Sequence, residues 1–171
     1  MALALGLFAL TMVSRIPFRS RILYHWDSVN LANGLARLDV LNEHPQPPGY
    51  IVYVWLCRLV SVATGGAAAA DANSSMVWVS VVASGGAVAL LYLLATDLSG
   101  RRQGVVAALM LASSPLFWFY GEIALPHALD AFLVIAAVWL LARVRRGLTV
   151  WDPVRATPQP PRPGPAIIRR C

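Results

Sequence analysis

Residues 76–96 read MVWVSVVASGGAVALLYLLAT, 21 residues without a charge. A helix needs roughly 20 apolar residues to cross a bilayer, so this run alone predicts a membrane span. Three further runs surround it. Residues 104–120 (GVVAALMLASSPLFWFY) are uncharged, and residues 123–142 (IALPHALDAFLVIAAVWLLA) carry one acid, Asp130. Residues 1–13 (MALALGLFALTMV) are apolar but short, and read either as a first span whose beginning is missing or as a signal peptide without a basic n-region. A fifth run, 50–64 (YIVYVWLCRLVSVAT), contains Arg58 and has the length of an interfacial or re-entrant helix. The expected fold is therefore all-α and polytopic, with about four spans over residues 1–146.

Composition agrees. Hydrophobic residues make up 58% of the 171 and charged residues 13%, against roughly 25% charge in a soluble domain. That excludes a disordered chain, a coiled coil and a disulfide scaffold. The net charge of +6 is all arginine on its basic side. These arginines lie between apolar runs, which favours a membrane over nucleic acid as the partner. Cys57 and Cys171 form no framework. Residues 147–171 hold six of the twelve prolines and no apolar period, which predicts a disordered Pro/Arg-rich tail. A chain that turns to such a tail after four helices reads as a truncated product.

Arginine placement sets the expected orientation. Arg101 and Arg102, and then Arg143, Arg145 and Arg146, belong in the cytoplasm by the positive-inside rule. Tyr120–Pro126 then forms an external tip, and residues 14–75 form a long external loop. The loop's Arg15, Arg19, Arg21 and Arg37 suit anionic headgroups.

That loop holds most of the residues suited to chemistry: Tyr24-His25-Trp26-Asp27-Ser28, then Glu43-His44 and a Pro-Gln-Pro-Pro-Gly run into Tyr50. Between them, 28–41 has the apolar spacing of an amphipathic helix through Leu31, Leu35 and Leu38. Asp27 or Ser28 would cap it. Asp27 thus has two readings, an N-cap or a general base. His25 reads as an aromatic-belt neighbour or an aid to the acid. At the hairpin tip stand Glu122, His127 and Asp130. Asp130, about two turns into its apolar run, is expected to face the protein interior or a wet cavity, because a lone acid at a helix centre costs roughly 2.5–3.5 kcal/mol. Arg58 reads as snorkelling to headgroups.

The order of a first span, "YHWDS" (24–28), an amphipathic helix, "HPQPPGY" (44–50), a short apolar helix, a span ending "LSGRR" (98–102) and then "SPLFWFYGEIALPHALDA" (114–131) resembles the N-terminal part of the GT-C superfamily of polytopic membrane glycosyltransferases. It is most similar to the bacterial family 39 branch, with protein O-mannosyltransferases and lipid A aminoarabinose transferases as relatives. The resemblance covers about residues 1–146. It implies transfer of a sugar, with inversion, from a polyprenyl-phosphate donor to an unidentified acceptor on the extracytoplasmic side of a bacterial cell membrane. It implies Asp27 as the catalytic base, supported by Glu122 and Asp130. Arg15, Arg19, Arg21, His25 and His44 are then the expected substrate-binding residues. No organic cofactor is implied. A divalent metal on His127 and Asp130 would need a third ligand such as Asp27. Competing readings are a non-catalytic membrane protein that packs against partners, and a transporter fragment relaying protons through Asp130.

Overall fold

The computed structural model describes residues 1–42, 44, 45, 47, 49–64 and 69–150, with residues 40, 69–71 and 147–150 described by backbone alone. Among the described residues the fold is helical and contains no strand beyond a single bridge between Asp39 and His44. The helices are α1 (Ala2–Arg15), α2 (Trp26–Ala36), α3 (Ile51–Ala63), α4 (Ala69–Ser99), α5 (Arg101–Ser113), α6 (Pro115–Tyr120) and α7 (His127–Val150). Two are long and apolar enough to cross a membrane, over Ala72–Ser99 and His127–Arg146, and two shorter apolar helices accompany them at Ala2–Phe18 and Ile51–Ala63. This is the helical membrane fold expected. Of the expected tail, residues 147–150 continue α7, and the rest lies outside the described residues.

Two of the expected runs have different bounds. Residues 104–120 are not one helix. Ser114 is extended (φ −60°, ψ 121°) and Pro115 opens α6, because proline disfavours helical backbone in the residue before it and lacks the N–H that would continue the ladder. The run from Ile123 does not start a helix either. Residues 121–126 form a turn in which Gly121, Ile123, Ala124, Leu125 and Pro126 are all buried, and α7 begins at His127.

Helix α4 is the hub, packing against α1, α3, α5 and α7. Its buried face is rich in small residues, including Ser75, Ser80, Ala83, Ser84 and Ala87. Lipid is as apolar as leucine, so helices in a bilayer associate through close packing of small residues rather than by hiding leucines. Gly104 shows how close the approach is. A Cβ there would lie 2.2 Å from Thr96 Oγ1 and 2.9 Å from the Tyr92 carbonyl oxygen on α4. Backbone cannot yield as a side-chain tip can. Gly104→Ala is therefore expected to cost about 1–3 kcal/mol through overpacking, read as a lower thermal midpoint of the detergent-solubilised protein.

Helix α7 runs parallel to α4, with Ser80 beside Leu125, Gly86 against Phe132 and Asp97 beside Arg143, and the bundle has two ends. At one end Asp97 of α4 ties down α7. Its Oδ2 accepts from Trp139 Nε1 (3.2 Å) and Arg143 Nε (3.4 Å), and its carbonyl accepts from Arg146. At the other end the close of α1, the segment to α2, the first turns of α4 and the 121–126 turn are stitched together. The Ser20 N–H donates to the Glu122 carbonyl (2.8 Å), Asn73 Nδ2 to the Ser20 carbonyl (3.1 Å), and Ser80 Oγ to the Leu125 carbonyl (3.0 Å).

Candidate functional site

Helix α2 carries Asp27 to this stitched end. Its cap is His25, whose Nδ1 accepts from the Asp27 N–H at 3.2 Å. Neither Asp27 nor Ser28 is the cap, which corrects the sequence expectation. The Asp27 carboxylate stands in the first turn, where a negative charge suits the helix dipole. His25 Nδ1 also lies 3.3 Å from Asp27 Oδ2. One nitrogen cannot do both at once: Nδ1 accepts from the backbone when it carries no hydrogen and donates to the carboxylate only when it carries one.

The far end of α2 is held by Arg58 of α3, whose guanidinium donates to the carbonyls of Leu35 (2.9 Å) and Gly34 (3.0 Å). These are carbonyls of the last helical turn, which have no partner within the helix. Arg58 therefore clamps α2 instead of snorkelling, as the sequence suggested it would. An apolar-run arginine gave no sign of this, because the partner lies 23 residues away in the chain.

Asp27, Leu31, Tyr50, Leu125, Pro126 and His127 line a small cleft of about 20 Å³, room for about one water or hydroxyl. The first loop and the hairpin tip meet here. Two features of its wall stand out. Tyr50 has left-handed backbone (φ 38°, ψ 43°), which is strained for a bulky residue and is found preferentially at functional sites. His127 stacks edge-on with Tyr120 at 4.5 Å between ring centroids. The aromatic contacts continue from Tyr120 to Phe119 and on to Tyr24. From the sequence, His127 meets Asp27 only as a possible co-ligand of a metal; the structure brings both to the wall of one cleft.

The other acids are placed differently. Asp130 is exposed, not turned inward as expected. Because α7 starts at His127, Asp130 stands in its first turn and not two turns inside the apolar run. The cost of an acid at a helix centre does not arise there, and the dipole favours it. It lies within electrostatic range of Tyr53 on α3.

Glu122 belongs to a second group around Arg15. The Arg15 side chain is fully buried at the end of α1. Its guanidinium lies 4.0 Å over the Trp118 ring and donates to the Ala112 carbonyl at 3.0 Å, while Nε and Nη1 are buried without a hydrogen bond. Glu122 Oε1 is likewise buried and unbonded. Burial holds the Glu122 carboxyl above its ordinary range, partly opposed by Arg15 and by a Trp118 hydrogen bond. A carboxyl raised on folding contributes stability that is complete below the unfolded value near 4.5 and is lost as pH rises through the raised one. Glu122→Gln is accordingly expected to flatten the fall in thermal midpoint as pH rises above 4.5. A fall as steep as in the parent protein would contradict this origin.

Arg19 and Arg21 are exposed, and Arg19 lies 5.2 Å over the Trp78 ring. His44 is away from Asp27, in a separate polar cleft with Asn33, Arg37, Asp39 and Asn42. There Asn42 Nδ2 donates to Asp39 Oδ2 at 2.8 Å, which holds that carboxyl below its usual range. Glu43 lies outside the described residues. Among the described residues no three His, Cys, Asp or Glu side chains converge to hold a metal ion. Asp27 and His127 supply two groups at the cleft.

Residues 44–150, well over half of the chain, match the family of dolichyl-phosphate-mannose-protein mannosyltransferases. The matched stretch runs from His44 through α7 and so includes Glu122, His127 and Asp130, while Asp27 precedes it. Neither a curated protein nor a solved structure matches the chain.

Proposed function

The chain belongs to the dolichyl-phosphate-mannose-protein mannosyltransferase family, and from that premise we propose that it transfers a sugar from a polyprenyl-phosphate carrier to an acceptor hydroxyl on the extracytoplasmic face of a bacterial cell membrane. Its helices then cross that membrane about four times, with α5 and α6 together forming the third crossing. The observation that carries the proposal is the Asp27 cleft, where a carboxylate lines a hydroxyl-sized space walled by the hairpin tip.

The chemistry follows from that placement. An alcohol is a poor nucleophile at neutral pH. Asp27 takes its proton as the oxygen attacks the anomeric carbon, the new C–O bond forms on the face opposite the phosphate, and the configuration inverts. The departing polyprenyl phosphate leaves as an anion and needs positive charge beside it. Arg21, exposed on the segment between α1 and α2, is the cation we assign to it. His127 orients the acceptor hydroxyl across the cleft. Asp130, one turn further along α7, keeps the mouth of the site negative and helps retain the proton that Asp27 accepts.

The test is transfer of label from a radiolabelled polyprenyl-phosphate sugar in membranes containing the protein. Appearance of label in acceptor material, absent from membranes without the protein, supports the proposal. No transfer from any polyprenyl-phosphate hexose, with the protein folded and inserted, would reject it and favour a role in packing alone. The latter would suit α7, whose apolar flank is mostly unburied.

A further inference from the structure

An apolar groove of about 550 Å³ opens between α1, α3, α4 and α7. Its wall on α4 runs from Trp78 through Val82 to Gly86, with Leu59 of α3 opposite. The inner end is formed by two rings. Phe132 of α7 packs so closely on Gly86 that a Cβ there would lie 2.8 Å from it, and Phe8 of α1 packs on Gly85 in the same way, 3.1 Å from such a Cβ. The outer end is different in kind: the guanidinium of Arg19 sits over the Trp78 ring that forms the groove wall. An apolar slot that ends in a cation is complementary to an amphiphile with an anionic head.

The length of the slot narrows the choice. Trp78 to Gly86 is eight residues of helix, about 12 Å, which fits within half of the roughly 30 Å hydrocarbon core. A chain entering at Arg19 therefore meets the phenylalanine floor before the bilayer midplane. That suits a chain confined to one leaflet and does not suit a long polyprenyl chain. We propose that the groove holds one acyl chain of an anionic glycerophospholipid, with its phosphate on Arg19. The site is distinct from the Asp27 cleft and does not depend on the transfer reaction.

Trp78 serves as its own probe. The protein is reconstituted in vesicles containing phosphatidylglycerol or phosphatidylcholine brominated along the acyl chain, and the Trp78 signal is taken as the difference between the parent and Trp78→Phe. Brominated phosphatidylglycerol is expected to reach half-quenching at a mole fraction about five-fold lower than phosphatidylcholine, the preference that one basic residue gives an anionic headgroup. Arg19→Gln should abolish that preference and Arg19→Lys should keep most of it. Val82→Phe, which fills the slot, should weaken quenching by both lipids. Should Trp78→Phe fail to fold, the total quenching of the parent against Arg19→Gln makes the same comparison. Equal quenching by the two lipids in the parent would overturn the proposal. So would displacement of brominated phosphatidylglycerol by a small fraction of polyprenyl phosphate, which would make the groove a donor site instead.

Discussion

Replacing Asp27 with Asn lowers glycosyl transfer by about 10²–10⁴-fold, the range a positioned general base contributes, and leaves the helix content and thermal midpoint nearly unchanged. The two halves of this result have separate physical origins. Asn has the shape of Asp and cannot take a proton, so the acceptor hydroxyl stays a weak nucleophile. The fold is spared because Asp27 does not hold α2 in place: His25 caps the helix start and Arg58 holds its end. Loss of the first-turn charge costs only about 0.3–1 kcal/mol. If Asp27→Asn instead lost stability and activity together, Asp27 would be a packing residue and the base would have to be sought elsewhere. Asp27→Glu is the informative companion. It keeps a carboxylate but pushes it further into a cleft of about 20 Å³, so transfer should fall less than in Asp27→Asn.

Replacing Arg15 with Met destabilises the protein by about 3 kcal/mol or more, the scale for removing one partner of a buried charged group. Three contacts are lost at once. The Ala112 carbonyl loses its donor, Trp118 loses the cation over its ring, and Glu122 is left as a buried acid with no opposing charge. Arg15→Lys does not restore the site, because an ammonium offers no planar face to the indole. The double variant Arg15→Met with Glu122→Gln should recover part of the loss, since it removes the uncompensated acid. The measurement is the unfolding midpoint of the detergent-solubilised protein, at a pH above the raised Glu122 value. A loss under about 0.5 kcal/mol, the range of an ordinary surface substitution, would mean that Arg15 is solvated after all.

Much of this fold is legible in the apolar runs. The 76–96 stretch falls inside α4, the 50–64 stretch outlines α3, and Leu31 and Leu35 anticipate α2, which ends at Ala36 with Arg37 extended and so leaves Leu38 outside the expected 28–41 helix. The positive-inside rule puts both arginine clusters on one side, and they do flank the Asp97 end of the bundle. What composition could not show was punctuation. Pro115 stood in plain view inside 104–120, yet an uninterrupted apolar count outweighed it. Ile123–Pro126 is apolar enough to extend a helix but is instead a turn pinned through the Leu125 carbonyl.

The site was legible in part. Asp27 stood out by its company of aromatic residues, and Glu122, His127 and Asp130 by being polar within or beside an apolar run. That Asp27 and the hairpin-tip acids lie toward one end follows from the expected topology, but which of them faces Asp27 and which faces Arg15 does not, because contact across a hundred residues depends on which helix face turns inward. Arg15 shows this most clearly. It was grouped with Arg19 and Arg21 as a surface cation, but the same spacing buries the first and leaves the other two exposed.

The account turns on Asp27 and His127 sharing one cleft at one end of the bundle, and cysteine cross-linking in native membranes tests this most directly. Asp27→Cys and His127→Cys are combined in a background where Cys57 and Cys171 are serine. A short bismaleimide should join the two cysteines in high yield when added from the extracytoplasmic side, and should not join Asp27→Cys to a cysteine replacing Ser99 at the far end of α4. Failure of the first pair to cross-link, or reaction of the two cysteines from opposite faces of the membrane, would contradict the account.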